Sequence, residues 1–338
     1  MSAGYHHGYQ QPRRPMPPQR PYKKKRRPGR VILVLLLVIV LGAVGFGFYV
    51  DSTLKRIDAL PDYEGRPAET PGTTWLLVGS DAREGLTQEQ KDALATGDAA
   101  GRRTDTIMML HLPDNSAAKP VLLSIPRDSY VAIEGNGRNK INASYAFGGP
   151  QLLAKTVEGA TGVRIDHYME IGFGGFSDMV DAVGGVDMCL DEPIKDPLAG
   201  IDLPAGCQEL DGPKALGFVR TRAFATADLQ RVQNQRKFLN ALFEKVKSPA
   251  TLVNPFRVIP LMNAASGSVS VNTDDHVWHL ASVALNMNEA TSGTVPVGGT
   301  PTIGGQSVVQ WNKEKASQLF DLISKDEPVP AELIAPPK

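Results

Sequence analysis

The sequence predicts an α/β fold, a three-layer α-β-α sandwich around a mostly buried mixed sheet, preceded by an N-terminal transmembrane helix. Short, nearly continuous apolar runs recur at Trp75–Val78, Thr106–Leu112 and Val121–Ile125, as expected for strands covered on both faces. Helical patterns alternate with further runs of this kind, which argues for a layered domain. Val31–Val50 holds 20 residues without a charge. At roughly 1.5 Å per residue it spans about 30 Å, the thickness of a bilayer core.

Nine Lys/Arg and no acid fall in the first 30 of the 338 residues, among Pro, Gln, Tyr and Gly. No core can form there, and residues 1–30 read as a disordered basic tail. The basic flank sets the tail in the cytoplasm and residues 51–338 outside. The tail would touch anionic lipid headgroups at the membrane, and nucleic-acid binding is not expected of it. A cleaved signal peptide is the alternative. Its small-x-small pair, Ala43 and Gly45, lies inside the apolar run, which is longer than a usual signal core.

Formal net charge is zero, with 36 Lys/Arg against 36 Asp/Glu. Removing the nine basic residues of the tail leaves 27 against 36, a formal −9 outside. Such an exterior excludes general polyanion binding, so arginines that meet phosphate must do so in a cleft. Cys189 and Cys207 lie outside, where an even count favours one disulfide over two free thiols. No His stands in a partner motif that would make either cysteine catalytic.

Residues 51–73, with Pro61, Pro67 and Pro71 among polar residues, read as a juxtamembrane stalk, and 74–326 as the globular domain. The first strand ends at Gly79. Gly85–Gly101, polar and Ala-rich, reads as a loop or short helix near the site. The second and third strands stop at Pro113 and Pro126. Pro150–Glu158 reads as a helix, with Pro near its first position and Gly162 past its end. His167–Ile171 is a strand, Phe176–Val183 a helix closed by Gly184 and Gly185, and Val186–Leu190 a strand.

Asp228–Val246 is the clearest helix, with Asp228 as N-cap and Val232, Leu239, Phe243 and Val246 as an apolar stripe. Arg231 and Gln235, four apart, share one face near the positive end of its dipole, a favourable place for an anion. A helix at Asp275–Leu285, a strand at Gly293–Val297 and a last helix at Val308–Ser324 follow. Residues 327–338 read as a loose Pro-rich tail. No internal repeat and no extra C-terminal module is read.

The chemistry gathers at strand ends. Arg83, Arg103, Arg127, Arg220 and Arg222 stand beside apolar runs, and Asp81 and Asp105 share those ends. An arginine at a buried edge is costly unless something anionic meets it. Its planar fork matches phosphate oxygens, and the two acids would hold a divalent cation against the same phosphates. The pattern points to pyrophosphate chemistry. Each piece alone has a plainer reading: Gly79–Arg83 as a turn, Arg102–Asp105 as a surface ion pair, Arg127 and Asp128 as a local pair. Lys140–Tyr145 precedes Gly148, Gly149 and Pro150, a glycine turn opening a helix but no Walker or dinucleotide fingerprint. Phe218–Arg222 alternates with period two, which predicts both arginines on one face of a strand.

Recurrence on one side of a parallel-type sheet makes these pieces converge. The sequence holds no Gly-x-Ser-x-Gly elbow, no His-Glu-x-x-His and no paired His/Cys set. His111, His167, His276 and His279 are scattered, and His111 and His167 read as structural. Oxygen-ligated Mg²⁺ or Mn²⁺ fits this composition better than a soft metal.

The same stretches resemble the LytR-CpsA-Psr family of cell-wall transferases. The matching segments are Leu77–Arg83, Arg103–Leu110, Ser124–Asp128, Lys140–Tyr145 with Gly148 and Gly149, Val183–Asp187, Leu210–Leu216, Arg220–Arg222 and Asp228–Arg236. They run in the family's order across residues 75–246, and the single N-terminal anchor also fits. Thr104 stands where Ser is commoner and Gln230 where a small residue is often seen. The resemblance implies transfer of a glycopolymer from a polyprenyl-pyrophosphate carrier to a peptidoglycan acceptor at the membrane, leaving a phosphodiester link. It implies Mg²⁺ on Asp81 and Asp105, and pyrophosphate held by Arg83, Arg103, Arg127, Arg220, Arg222 and Arg231 with Gln235. Apolar side chains between sheet and helices would take the polyprenyl tail. A non-catalytic binder of such lipids, or a hydrolase releasing polyprenyl phosphate, are the other readings.

Overall fold

The computed structural model describes residues 28–81, 87–96, 104–221, 227–248 and 254–334, with Gly4, Ala223 and Thr251 besides. The chain divides into two units, Met1–Phe46 and Gly47–Lys338. Helix α1 covers Pro28–Thr53. Among the described residues one helix is long and apolar enough to cross a membrane, at Ile32–Thr53.

After α1 come β1 (Lys55–Ile57), β2 (Thr73–Ser80), α2 (Gln88–Ala93), β3 (Thr104–Leu112) and β4 (Val121–Ser124). A hairpin of β5 (Tyr130–Ile133) and β6 (Gly137–Lys140) leads into α3 (Ile141–Thr161). Next are β7 (His167–Ile171), α4 (Phe173–Ala182) and β8 (Val186–Leu190). Strands β9 (Ile194–Asp196), β10 (Ile201–Leu203) and β11 (Gly206–Leu210) precede α5 (Gly212–Arg220) and α6 (Ala227–Lys247). Then follow α7 (Pro255–Ser268), β12 (Val269–Asn272), α8 (Val277–Asn286), β13 (Thr291–Thr294), α9 (Lys313–Ser324) and α10 (Ala331–Ile334).

Seven strands form the central sheet in the order β1-β12-β7-β2-β3-β4-β13. Adjacent residues of each central strand go to opposite faces, as the pleat requires. Leu76, Val78, Ile107, Met109 and Leu123 pack on one face, against Val157 of α3 and Leu319 and Phe320 of α9. Trp75, Leu77, Met108, Leu110 and Leu122 pack on the other, against Val283 of α8, Met287, and Leu239 and Phe243 of α6. Both faces are therefore covered, which is why these runs carry no polar alternation. The sheet is mixed rather than parallel: β2 and β4 both run antiparallel to β3, while β7 runs parallel to β2. The reversal sets the end of β2, the start of β3 and the end of β4 along one edge.

Residues 51–73 are not a free stalk. Strand β1 pairs with β12 at the sheet's edge, and Ala59 is fully buried. Asn272 Oδ1 accepts the Ala59 and Leu60 N–H groups at 3.1 and 3.2 Å. Glu158 of α3, 1% exposed, takes Arg66 Nε at 3.1 Å and the Tyr63 hydroxyl at 2.7 Å. Burial and that carboxylate push the Tyr63 phenol well above its ordinary value. The other end also packs, since α10 buries Leu333 and Ile334 within the expected loose tail.

Each expected helix has a boundary that moves, two of them starting at Phe173 rather than Phe176 and at Val277 rather than Asp275. Helix α6 begins at Ala227, ahead of the expected cap Asp228. Helix α9 begins at Lys313 rather than Val308, because Gln310 and Trp311 pair as a strand with Val297–Gly299. Gly148 and Gly149 precede a helical segment at Pro150 as expected, but they stand between two such segments rather than before the first. They kink α3, with Gly149 at φ 65° ahead of Pro150, and the first half of α3 already starts at Ile141. Gly162 closes α3 in the left-handed conformation expected of it.

Cys189 of β8 and Cys207 of β11 face each other in register and form the predicted disulfide. The bond closes a separation of 18 residues. Its loss is worth about 3 kcal/mol in the chain-entropy model. Cys189→Ser with Cys207→Ser is expected to lower the thermal midpoint by roughly 6–12 °C. Differential scanning calorimetry measures this, and an unchanged midpoint would mean the bond stabilises nothing.

Candidate functional site

The site grows from the strand reversal. Gly79 lies opposite Thr106 and Ser80 opposite Thr104, so Asp105 is an extra residue, a β-bulge. Bulges re-aim side chains and recur beside active sites. Gly79 permits the close approach, since a Cβ there would stand 3.0 Å from Thr106 Cβ. Asp81 follows β2 directly, on the same edge.

Beyond β4, Ile125 N still bonds Ile107 O at 2.9 Å, and Pro126 then turns the chain. This turn delivers Arg127, whose Nη1 donates to Asp105 Oδ1. Arg127 Nε stands 3.6 Å from Asp128 Oδ2, and Lys140 Nζ is 2.8 Å from Asp128 Oδ1. The local Arg127–Asp128 pair thus exists beside the longer-range one to Asp105.

Arg220 arrives differently from expectation. It is the last residue of α5, and Thr221 is the helix C-cap, so Arg220 is not on a strand. The start of α5 carries a helix signal that the strand reading of Phe218–Arg222 passed over: Asp211 Oδ1 accepts Lys214 N at 3.0 Å, and Pro213 fills the first turn. Arg220 Nη1 donates to Leu94 O at 3.0 Å and Nη2 to Ala95 O at 3.3 Å. Its guanidinium carbon lies 4.7 Å from the Phe173 ring centroid. Gln235 of α6 is 8% exposed and donates to Val219 O at 3.1 Å, fastening α6 to the end of α5.

Asp105, Arg220 and Gln235 line one cavity of about 300 Å³. Leu77 and Met108 of the sheet, Phe176 of α4, and Leu239, Phe243 and Met287 wall the rest of it. A wider groove of about 1350 Å³, lined by Tyr130, Lys155 and Trp311 among others, touches none of the expected site residues.

Of the expected residues, Asp105, Arg127, Arg220 and Gln235 converge, and Asp81 shares their edge. Arg83, Arg103 and Arg222 lie outside the described residues. Arg231 sits one turn before Gln235 on α6, and its side chain is likewise outside them. Sequence reasoning missed the carbonyls of Leu94 and Ala95 and the Phe173 ring that hold Arg220, because they come from elements distant in the chain.

A cation at this edge would meet oxygen donors only. Besides the two carboxylates, Ser80 Oγ, which lines the cavity with Asp105, and Thr104 Oγ1, opposite it in register, are buried with no hydrogen-bond partner among the described residues. Such orphaned oxygens fit a hard divalent ion and its water shell, Mg²⁺ or Mn²⁺.

Fold and site define an α/β domain with a carboxylate–guanidinium cluster at the mouth of an apolar cavity. The chain belongs to the LytR_cpsA_psr family, which matches residues 54–325. It is 52% identical over 290 residues to the probable cell wall biosynthesis protein LcpB of Corynebacterium glutamicum, covering 85% of this chain and 67% of that protein. It is 32% identical over 257 residues to TagT of Bacillus subtilis, a polyisoprenyl-teichoic acid–peptidoglycan teichoic acid transferase, covering 68% of this chain and 74% of that one. The chain therefore spans about two thirds to three quarters of these relatives' lengths. A LytR-Csp2A-Psr enzyme from Actinomyces oris has the same fold, with a TM-score of 0.63 at 20% identity, covering 80% of this chain and 96% of that one.

Proposed function

We propose that this chain is a phosphotransferase that moves a glycopolymer from a polyprenyl-pyrophosphate carrier onto peptidoglycan. The observation that carries the reading is the two-part character of the site. Asp105, Arg220 and Gln235, with Ser80 and Thr106, give polar groups to a cavity lined mostly by apolar residues, and Arg127 pairs with Asp105. A polyprenyl pyrophosphate has the same two parts, an anionic head and an apolar tail. The cavity of about 300 Å³ accepts the first isoprene units of that tail. The family's transferase relative TagT supports the same chemistry.

Arg220, held by two carbonyls and a ring, meets the phosphate oxygens with a guanidinium already aimed. Arg127 exchanges its contact with Asp105 for one with phosphate. Arg83, Arg103, Arg222 and Arg231 would add charge to the same head group. Mg²⁺ or Mn²⁺ held by Asp81 and Asp105 would neutralise charge gathering on the pyrophosphate. A sugar hydroxyl of peptidoglycan attacks the phosphorus that bears the glycopolymer. The new O–P bond forms as the bridging P–O bond breaks, and polyprenyl phosphate leaves. The hydroxyl's proton passes to a carboxylate at this edge.

The apolar Ile32–Thr53 helix serves as a single membrane anchor, with the basic tail cytoplasmic and residues 51–338 outside. The Cys189–Cys207 bond suits that oxidising side.

The test uses the full chain in detergent, a polyprenyl-pyrophosphate-linked oligosaccharide and peptidoglycan fragments, with Mg²⁺ or with chelator. A phosphodiester-linked product is expected with Mg²⁺, and its formation is expected to fall at least about 100-fold on chelation. Tight lipid binding without product would make the chain a binder. Polyprenyl phosphate released without acceptor would make it a hydrolase.

A further inference from the structure

The histidines that looked scattered in sequence are gathered by the fold. His167 opens β7, Asp275 follows β12, and His279 lies in the first turn of α8. One ligand atom from each lies within 4.8 Å of the others. His167 Nδ1 is hydrogen-bonded to Asp275 Oδ1, and His279 Nδ1 is 3.9 Å from the same oxygen. The spacing Asp275-x-x-x-His279 places two donors on one side of a helix start, and only β7 supplies the third.

The cluster is built rather than casual. Asp275 is 1% exposed, and its Oδ2 accepts Tyr168 N at 3.0 Å and Asn272 N at 3.1 Å. Those backbone bonds turn Oδ1 toward the two imidazoles. Trp75 stacks on His167 at 4.5 Å between centroids and fixes its ring plane. His279 Nδ1 accepts the His276 N–H at 3.3 Å, a long bond that a metal displaces at small cost. The His279 side chain is 32% exposed and that of His276 37%, which leaves a way in from solvent.

We propose that His167, Asp275 and His279 form a Zn²⁺ site, separate from the strand-edge cluster, with water as the fourth ligand. Two imidazoles and one carboxylate are donors zinc favours, and a hard Mg²⁺ does not compete well for them. Tetrahedral zinc with ligands about 2.0 Å away sets them about 3.3 Å from one another. The cluster reaches this by parting His167 from Asp275 and drawing His279 in. Zinc there pins the first turn of α8 to β7. Val283 of α8 and the following Met287 pack on the face that walls the apolar cavity, so the ion steadies that wall.

The experiment uses the full chain in detergent with excess Mg²⁺, in a His6→Ala/His7→Ala background that removes the tail's own histidines. Zinc titration by calorimetry is expected to give one site per chain and a thermal midpoint that climbs with zinc. His279→Ala is expected to weaken binding more than about 100-fold, with its midpoint in chelator unchanged. His279→Cys keeps the site if His279 is a ligand. Loaded with Co²⁺, it should then gain a thiolate-to-cobalt charge-transfer band that the background chain lacks. No stoichiometric zinc uptake by the background chain would overturn the proposal. So would undiminished uptake in His279→Ala, or a Co²⁺ spectrum of His279→Cys identical to the background.

Discussion

Arg220→Ala is expected to slow glycopolymer transfer about 10³-fold while leaving the domain folded. The size follows from how the side chain is held. Leu94 O, Ala95 O and the Phe173 ring fix the guanidinium in advance, so meeting phosphate costs little further side-chain entropy. A fixed cation beside an apolar cavity acts more strongly on charge developing in the transition state than one in water. The loss should therefore fall mainly on kcat rather than KM. Arg220→Lys keeps the charge but not the planar fork, and is expected to recover only a small part of the rate. Arg138, exposed and resting on Tyr130, is the control, since Arg138→Ala should leave transfer unchanged. Single-turnover transfer assays read all three variants. A folded Arg220→Ala chain within tenfold of the parent rate would remove Arg220 from the phosphate-handling set.

Glu158→Ala should be the most destabilising of the substitutions considered, by about 3–5 kcal/mol. Glu158 holds three groups at once: Arg66 Nε, the Tyr63 hydroxyl, and Ile165 N at 2.9 Å. The Arg66 side chain is itself only 9% exposed. Truncating Glu158 leaves a buried guanidinium without its buried counter-ion and strands two further donors. Arg66→Met added to Glu158→Ala should restore part of the loss, because the uncompensated charge goes with it. Chemical denaturation midpoints measure both variants. A single variant as stable as the parent would show that Glu158 does not clamp residues 54–73 to the domain.

Much of the molecule was legible because local chemistry and final environment agree. Trp75–Val78, Thr106–Leu112 and Val121–Ile125 read as strands covered on both faces, and the sheet buries them so. Cys189 and Cys207 read as a pair and meet in register. Asp105 and Arg127 read as strand-end residues of one cluster and touch. Where reasoning failed, a local pattern competed with a distant partner. Arg220 belongs to a period-two pattern that reads as a strand, but Asp211 and Pro213 had already started a helix that ends on it. Residues 51–73 look like a linker, because the strand at Lys55–Ile57 is short and its anchors, Glu158 and Asn272, lie far along the chain.

The sequence by itself determined the central strands and most of the helices, the apolar helix near the N-terminus, Asp81 and Asp105 at strand ends, and the family. Side-chain hydropathy and capping act over a few residues, so a few residues suffice to read them. The tertiary structure alone decided that β2, β3 and β4 alternate in direction, that a bulge turns Asp105 out, and that two carbonyls and a ring hold Arg220. It also decided that His167, Asp275 and His279 meet. These depend on strand register and helix docking, set by contacts between residues from ten to more than a hundred positions apart, and no local pattern encodes such pairings.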